Sequence, residues 1–389
     1  MDYKKFLTCL ERAYRVAPDH PVIIYDLARA YALAGNSKQA LACLEKVAGI
    51  GGTVAFDAAR DKYLASLNEN EEFKQIVNKI ESMKAPVINS DIAYNLTERD
   101  LLPESTTYDS LTRTLYLSGN YKNKIKSIDE RGYVRNFISE KQDEIWNIFG
   151  IEVDSKRRLL WAVANPDASS IMRSDIEAKN GWHSVVFKFD LNGGKLIRKY
   201  LSGHKPDAHL LNDLAVSSKG DLFMTDMREG TIYMITAKYD ELEMFLKMPR
   251  LKFARSITIS DDDRYLFIAH GLGLEVIDLW TQYSYPLVHP ENMTLTGIEG
   301  ISFYRGSLIA HQTAALGRIA RYYLSEDFRR VERIETIDAH RPDFNISTTG
   351  TVADDLYYYV ATPQLRSFRD GRVFSSSELR DLIVLRSKL

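Results

Sequence analysis

Four polar residues that could do chemistry stand at the start of a short pattern that recurs along the chain. They are Glu104, Asn212, Arg255 and Glu299. Two carboxylates can share acid–base work or bind a cation, and a guanidinium can bind a carboxylate or an oxyanion. Charged groups rarely leave water without a partner or a task. If the four stretches meet in space, they therefore form a candidate active site.

The pattern consists of an alternating apolar run, a polar turn and a second run rich in Tyr, Phe and Leu. Its best copy runs from Asn212 to Asp226, and the copies start 43 to 49 residues apart, except for one interval of 63. Each copy predicts two strands joined by a turn. This period fits one four-stranded blade per copy, so the six copies predict a mainly β protein with a six-bladed β-propeller. If each copy opens on the innermost strand, six side chains face the central channel: Glu104, Phe149, Asn212, Arg255, Glu299 and Thr348.

The composition is that of an ordinary soluble globular protein, with 45% hydrophobic and 27% charged residues. The formal net charge of −2 gives no basic field for nucleic acid. No apolar run is long enough to span a membrane. Cys9 and Cys43 are the two cysteines, too few for a disulfide framework or a zinc cluster.

Residues 1–84 have a helical pattern, and residues 85–389 carry the propeller copies. The segment Leu7–Arg12 reappears 34 residues later as Leu41–Lys46, and 34 is the tetratricopeptide period. The pattern predicts helix pairs of that kind, including a pair over 54–67 and 71–83, with a docking or capping role and a possible protein partner. Residues 5–17 match the second helix of a unit. Either a half-unit caps the array or a signal peptide has been trimmed; the second alternative favours a periplasmic or secreted protein, and otherwise a cytoplasmic one is expected.

The blade pattern resembles the SMP-30/gluconolactonase/LRE-like family, with paraoxonases and strictosidine synthases as more distant relatives. The resemblance covers about residues 90–389 and is carried by five segments: Leu102–Asp109, Asn212–Val216, Phe253–Ile257, Ser260–Tyr265 and Ile298–Ser302. It implies a hydrolase that acts on a lactone or related ester in the propeller channel.

The resemblance also implies one divalent cation, usually calcium, for which Glu104, Asn212 and Glu299 match the ligand positions. Two positions depart from the family. Arg255 replaces an expected metal-binding asparagine, and Phe149 stands where paraoxonases carry a catalytic histidine. A cation at Arg255 would repel a divalent ion. The alternative is that Arg255 replaces the ion and pairs with both glutamates, so the cation stays an open expectation.

Three functional hypotheses follow. In the lactonase hypothesis Glu104, Glu299 and Arg255 act in catalysis, with His270 and His311 as further candidates for proton transfer. Asn212, Arg255, Phe149 and Thr348 would then bind the small-molecule substrate. The second hypothesis is a metal-independent, strictosidine-synthase-like enzyme that uses the channel carboxylates and Arg255. The third is a ligand-binding or scaffolding propeller in which the channel charges neutralise one another, so that the two glutamates have a structural role rather than a catalytic one.

Overall fold

The computed structural model describes residues 3–51, 56–165, 184–202, 209–313, 316–369 and 372–389. The 63-residue interval between the second and third copies predicts extra residues within 164–182, and most of that stretch, with Trp182 and His183, lies outside these ranges. Helices come first, and the α-helices of the described part are α1 (Tyr3–Val16), α2 (Pro21–Leu33), α3 (Ser37–Ile50) and α4 (Glu71–Ser82). Asparagines precede two of them. The Asn36 and Asn70 side chains each accept a hydrogen bond from the backbone N–H three residues later in the chain, at 3.2 and 3.1 Å.

The helix predicted over 54–67 is wrong in its described part. The structure instead has two short 3₁₀ turns, Ala58–Arg60 and Ala65–Leu67. Asp61 stands between them, and its carboxylate accepts bonds from Tyr25 Oη (2.9 Å) and Arg29 Nε (2.6 Å) on α2. This tertiary contact fixes the chain in a turn, because Asp competes with the helical backbone for hydrogen bonds.

Strands make up the rest of the fold. The first two strands are β1 (Val87–Ile88) and β2 (Ser90–Leu96). The first blade contains, from the channel outwards, β3 (Thr106–Asp109), β4 (Thr114–Gly119), β5 (Lys124–Ile128) and β6 (Val134–Ile138). The second contains β7 (Ile148–Asp154), β8 (Leu159–Ala164), β9 (Val185–Asp190) and β10 (Leu196–Leu201). The third contains β11 (Leu211–Val216), β12 (Leu222–Asp226), β13 (Thr231–Ile235) and β14 (Leu242–Lys247).

The fourth blade contains β15 (Ser256–Ile259), β16 (Tyr265–His270), β17 (Gly273–Asp278) and β18 (Ser284–Pro286). The fifth contains β19 (Gly300–Tyr304), β20 (Ser307–Gln312), β21 (Arg318–Leu324) and β22 (Val331–Ala339), with β1 added at its outer edge. The remaining strands are β23 (Gly350–Ala353), β24 (Leu356–Val360), β25 (Phe368–Arg369), β26 (Arg372–Val373) and β27 (Leu382–Lys388). The sixth blade is ordered β23-β24-β27-β2.

The six-bladed propeller predicted from the repeats is confirmed. Each predicted copy covers the innermost strand of one blade and part or all of the second. The inner strands β3, β7, β11, β15, β19 and β23 contact one another in a closed ring. The ring is sealed by β2, which comes from before the first blade and forms the outer strand of the last one. Such closure leaves no open edge between the first and last blades.

Hydroxyl side chains connect neighbouring inner strands. The Ile151 backbone N–H donates to Ser105 Oγ at 3.1 Å, and the Ile301 N–H donates to Ser256 Oγ at 3.0 Å. Inner strands have one edge without a strand partner, so their backbone groups need other partners. These bonds satisfy them and fix each inner strand relative to the next, which sets the height of every side chain along the channel.

The helical region has its own hydrophobic core and packs against the propeller. Tyr25 is buried in that core and stacks on Phe56 with ring centroids 3.9 Å apart. Asp19, in the turn between α1 and α2, binds His289 Nε2 at 3.2 Å and Thr294 Oγ1 at 2.9 Å, beside the fifth blade. Within the described ranges, the helices are too short or too polar to cross a bilayer.

Candidate functional site in the propeller channel

A charged cluster lies at the ends of the inner strands where each strand begins. We call Glu104, Asn212, Arg255 and Glu299 the channel cluster. The Arg255 Nη1 donates to Glu299 Oε2 at 2.5 Å, across the boundary between the fourth and fifth blades. The Glu299 side chain is 17% exposed and the Arg255 side chain 43%, so the guanidinium is the accessible partner. Two stretches 44 residues apart thus meet as the repeat predicts.

Glu104 is the carboxylate with the most unusual environment in this cluster. Burial raises its pKa to about 7, and the nearby Glu299 charge adds to the rise, while the Asn120 hydrogen bond and the Arg255 charge oppose it. The Asn120 Nδ2 donates to Glu104 Oε2 at 2.7 Å. At neutral pH this carboxyl therefore exists in both protonation states, which is the condition a general acid–base group needs.

The other predicted channel residues are placed mainly through backbone contacts. Asn212 Nδ2 donates to the Arg255 backbone oxygen, and Thr348 Oγ1 donates to the Glu104 backbone oxygen at 2.8 Å. Both residues thereby hold the backbone just before a neighbouring inner strand begins. Phe149 lies on β7 and is half-buried, and within the described ranges no hydrogen bond or ring contact joins it to the cluster.

Two further carboxyl groups lie deeper, beside a channel cavity of about 170 Å³. Burial raises the pKa of Glu152 to about 8, helped by the charge of Asp213. Burial also raises the pKa of Asp213 to about 6, although Ser256 Oγ (2.5 Å) and the Ile257 N–H (3.1 Å) donate to its carboxylate. The channel therefore contains four carboxyl groups against the single guanidinium of Arg255 among its described side chains.

Sequence reasoning did not assign Glu152, Asp213 or Asn120 to the site. Glu152 lies three residues after the channel position Phe149, and Asp213 directly follows Asn212. Neither residue therefore stands at the first position of its copy, the position that was assigned to the channel. A usable signal existed for Asn120. It comes just after the second strand of its blade, where the second blade has Asn165. Aligning copies on their second strands would have shown this polar position.

The structure does not bring His270 and His311 to the channel cluster. His311 is fully buried, with Nε2 2.8 Å from Tyr357 Oη and Nδ1 3.2 Å from Ser347 Oγ, and burial lowers its pKa to about 3. His270 borders another cavity, and burial together with the Arg250 charge lowers its pKa to about 4. Second strands direct alternate side chains between blades, so a position near the rim does not imply access to the channel.

The residues present do not fit a divalent cation. The Arg255 guanidinium occupies one carboxylate oxygen of Glu299, and the Asn212 amide donates to the backbone of Arg255. A fixed positive charge a few ångströms from a divalent ion is repelled by several kcal/mol, roughly, at a protein-like dielectric. Within the described ranges, no three His, Cys, Asp or Glu side chains come together in a metal-binding group.

Replacing Arg255 with asparagine is expected to create a calcium site. Arg255→Asn removes the repelling charge, frees Glu299 and adds an oxygen ligand, and hard oxygen ligands suit calcium. A ligand present at 100 times its Kd stabilises the fold by about 2.7 kcal/mol. Thermal unfolding with and without calcium should therefore show a rise in Tm for Arg255→Asn only. Arg255→Leu is the control without a new ligand, and a calcium-induced rise in the unaltered protein would contradict the prediction.

Phe253 lies two residues before Arg255 and has a strained backbone. Its φ is +63°, its side chain is 62% exposed, and its N–H donates to the Met227 oxygen at 2.7 Å. A left-handed conformation costs a bulky residue roughly 1–2 kcal/mol. Phe253→Gly should therefore raise the free energy of unfolding by up to about 1 kcal/mol, which would appear as a higher urea midpoint. Tyr133→Gly, at an exposed aromatic without positive φ, should lower the midpoint; equal losses in both variants would exclude strain at Phe253.

Comparisons with known proteins support the fold but no particular activity. No protein-family profile matches the sequence, and no curated protein is significantly similar to it. A luciferin-regenerating enzyme is 14% identical, with a TM-score of 0.52 over 78% of this chain and 96% of that one. The PQQ-bound aldose sugar dehydrogenase of Streptomyces coelicolor is 12% identical, with a TM-score of 0.53 over 78% and 99%. A gluconolactonase of Xanthomonas campestris is 12% identical, with a TM-score of 0.49 over 78% and 98%. At such identities, the first two similarities show a shared propeller fold.

Proposed function

We propose that the channel cluster hydrolyses a lactone or a related ester, and that it does so without a metal ion. The observation that carries this proposal is the presence of two unlike groups, a carboxyl with a raised pKa and an accessible guanidinium, at one end of the channel. Glu104 has a pKa raised to about 7, and the accessible guanidinium of Arg255 is held by Glu299. A base with a pKa near the working pH and a fixed cation are the two groups that ester hydrolysis needs.

The reaction would proceed in two proton-balanced steps. The Glu104 carboxylate takes a proton from water as the water oxygen bonds to the ester carbonyl carbon, and Arg255 binds the oxyanion that forms. When this intermediate collapses, the carbon–oxygen bond to the leaving alkoxide breaks, and protonated Glu104 returns the proton to that alkoxide. The product of a lactone is a hydroxy acid. Glu299 and Asn120 act as positioning residues, because they orient Arg255 and Glu104 respectively.

Turnover of a panel of lactones and aryl esters tests the proposal. We expect hydrolysis to continue in EDTA, since no step uses a metal ion. Arg255→Met, which keeps most of the unbranched stem of the side chain without its charge, should lower kcat by roughly 100-fold or more. Lys252→Met, at an exposed cation three residues away, should leave turnover unchanged. Activity that requires added calcium would overturn the metal-independent mechanism.

A second candidate is favoured by the Arg255–Glu299 ion pair itself. A paired arginine already has a partner, as expected for a ligand-binding or scaffolding propeller whose channel charges neutralise one another. A third candidate is a strictosidine-synthase-like condensation, in which Glu104 would move protons without a metal. A compound that binds in the channel and is never turned over would favour the second candidate. Formation of a condensation product, without hydrolysis, would favour the third.

We also propose that the helical region over residues 1–84 is tetratricopeptide-like and serves to dock a protein partner or to cap the propeller. Two observations support this. The α2–α3 pair is a helix-turn-helix closed at Asn36, and a cavity of about 400 Å³ lies among α1, α2 and α3. Tyr14, Tyr31 and Lys46 line that cavity. Grooves of this kind present side chains to a partner peptide.

A further inference from the structure

A third cavity, of about 510 Å³, lies between the fourth blade and the helical region. It is bounded by β17 and β18 on one side and reaches Asp19, in the α1–α2 turn, on the other. Among the described residues it shares no lining residue with the channel cavity, and it has three times the volume. Its size falls within the range of small-molecule sites, about 300–1,000 Å³. The proposed lactonase chemistry makes no use of it.

One arginine dominates the polar part of this cavity. Arg250 donates through Nε (3.1 Å) and Nη2 (2.5 Å) to Glu275 Oε1, and through Nη2 to Ser284 Oγ (2.6 Å). The Glu275 side chain is 1% exposed and the Arg250 side chain 49%. The buried carboxylate therefore holds the guanidinium in one orientation, while Nη1 has no partner among the described residues. An arginine fixed in this way loses little entropy when it binds an anion.

Apolar side chains form much of the remaining lining. Leu274, Leu287 and Leu295 are almost completely buried, whereas Leu272 is 48% exposed. A site with apolar walls and one fixed charged group selects a ligand with an apolar body and one opposite charge.

The other charged groups around the cavity are already paired. Asp19 binds His289 Nε2 and Thr294 Oγ1, and the Asp19 contact raises the pKa of His289. His270 Nδ1 accepts the Leu272 N–H at 3.4 Å, and burial keeps this ring neutral. Glu275 is bound to Arg250. The accessible charge is therefore positive, which favours an anion over a cation.

We propose that this cavity is a second ligand site, in which Arg250 binds the carboxylate of a small amphipathic acid. Its apolar chain would lie against the leucines that line the cavity, Leu272, Leu274, Leu287 and Leu295. The ligand would contact both the propeller and the α1–α2 turn. The site is independent of the proposed channel activity.

Binding of octanoate, 1-octanol and octylamine to the full chain tests this assignment by isothermal titration calorimetry. We expect octanoate to bind at least about tenfold more tightly than octanol, which corresponds to the 1.4 kcal/mol of one charge-assisted contact. Octylamine should bind most weakly. Equal affinities for octanoate and octanol would overturn the proposal.

Variants locate the site. The double variant Arg250→Gln with Glu275→Gln removes both charges together and so leaves no unpaired buried carboxylate. It should lose the preference for octanoate and keep the binding of octanol. Leu272→Trp, at a half-exposed position, should narrow the cavity and weaken both. Glu104→Gln in the channel should change neither affinity, and octanoate binding that depends on Glu104 would place the ligand in the channel and refute the second site.

Discussion

Glu104→Gln is expected to lower kcat/KM for a lactone or ester substrate by about 100-fold or more, because it removes the proposed general base. The pH dependence should change as well. In the unaltered protein, activity should rise with pH through about 7, since the carboxylate form is the active one and the pKa of Glu104 is about 7. The variant should lose this rise. Initial rates between pH 5 and 9 check both expectations.

Asn120→Ala is the matched control for this pH profile. The Asn120 amide donates to the Glu104 carboxylate and so lowers its pKa. Without that bond the pKa of Glu104 should be higher, and the rise in activity should move to higher pH while the rate at high pH is largely retained. If Glu104 had a merely structural role, Asn120→Ala would not shift the pH at which activity rises. If Glu104→Gln kept its rate and its pH profile, Glu104 would not be the base.

The acid–base hypothesis also predicts how Glu104→Gln affects stability. Folded Glu104 keeps its proton up to about pH 7, whereas the unfolded carboxyl ionises near pH 4.5. Ionisation in the folded state is therefore unfavourable, and stability falls between these values as pH rises. The glutamine side chain of the variant cannot ionise, so it does not have the cost of a buried charge. Loss of activity without loss of stability at pH 8 would separate a catalytic role from a structural one.

The propeller was predictable because its signals are local and repeated. Alternation of apolar residues with period two identifies strands, and the turn between two strands lies within one copy. Recurrence at blade spacing then places equivalent residues at equivalent heights in a ring. The meeting of Arg255 with Glu299 required no further information, since both open their copies.

Other features were not predictable because they depend on distant partners. The sixth blade takes its outer strand β2 from before the first blade, and Asp338 on β22 holds the crossing by accepting the Asn89 N–H at 2.7 Å and the hydroxyls of Ser90 and Tyr359. His311 shows the same limit within a blade. Its surroundings come from Tyr357, 46 residues away, so the sequence around His311 does not show that its ring is buried between blades.

The deeper carboxyl Glu152 leads to the largest expected effect on stability. Its pKa in the folded protein is about 8, because burial and the charge of Asp213 disfavour the ionised form. An unfolded glutamate ionises near pH 4.5, so between about pH 4.5 and 8 the folded state holds a proton that the unfolded state has lost. Stability must therefore fall as pH rises through this window and level off above it.

Glu152→Gln should abolish this loss, since the amide has the shape of the protonated carboxyl and can still accept the hydrogen bond from Thr107 Oγ1. We expect no gain in stability at pH 4 and a gain on the order of 2–4 kcal/mol at pH 8. Urea midpoints at pH 4, 6 and 8 measure the difference. Glu243→Gln, at an exposed position on β14, should give the same small change at every pH. A gain from Glu152→Gln that did not depend on pH would show that folded and unfolded Glu152 have the same pKa, and that the deeper channel layer carries a charge rather than a bound proton at neutral pH.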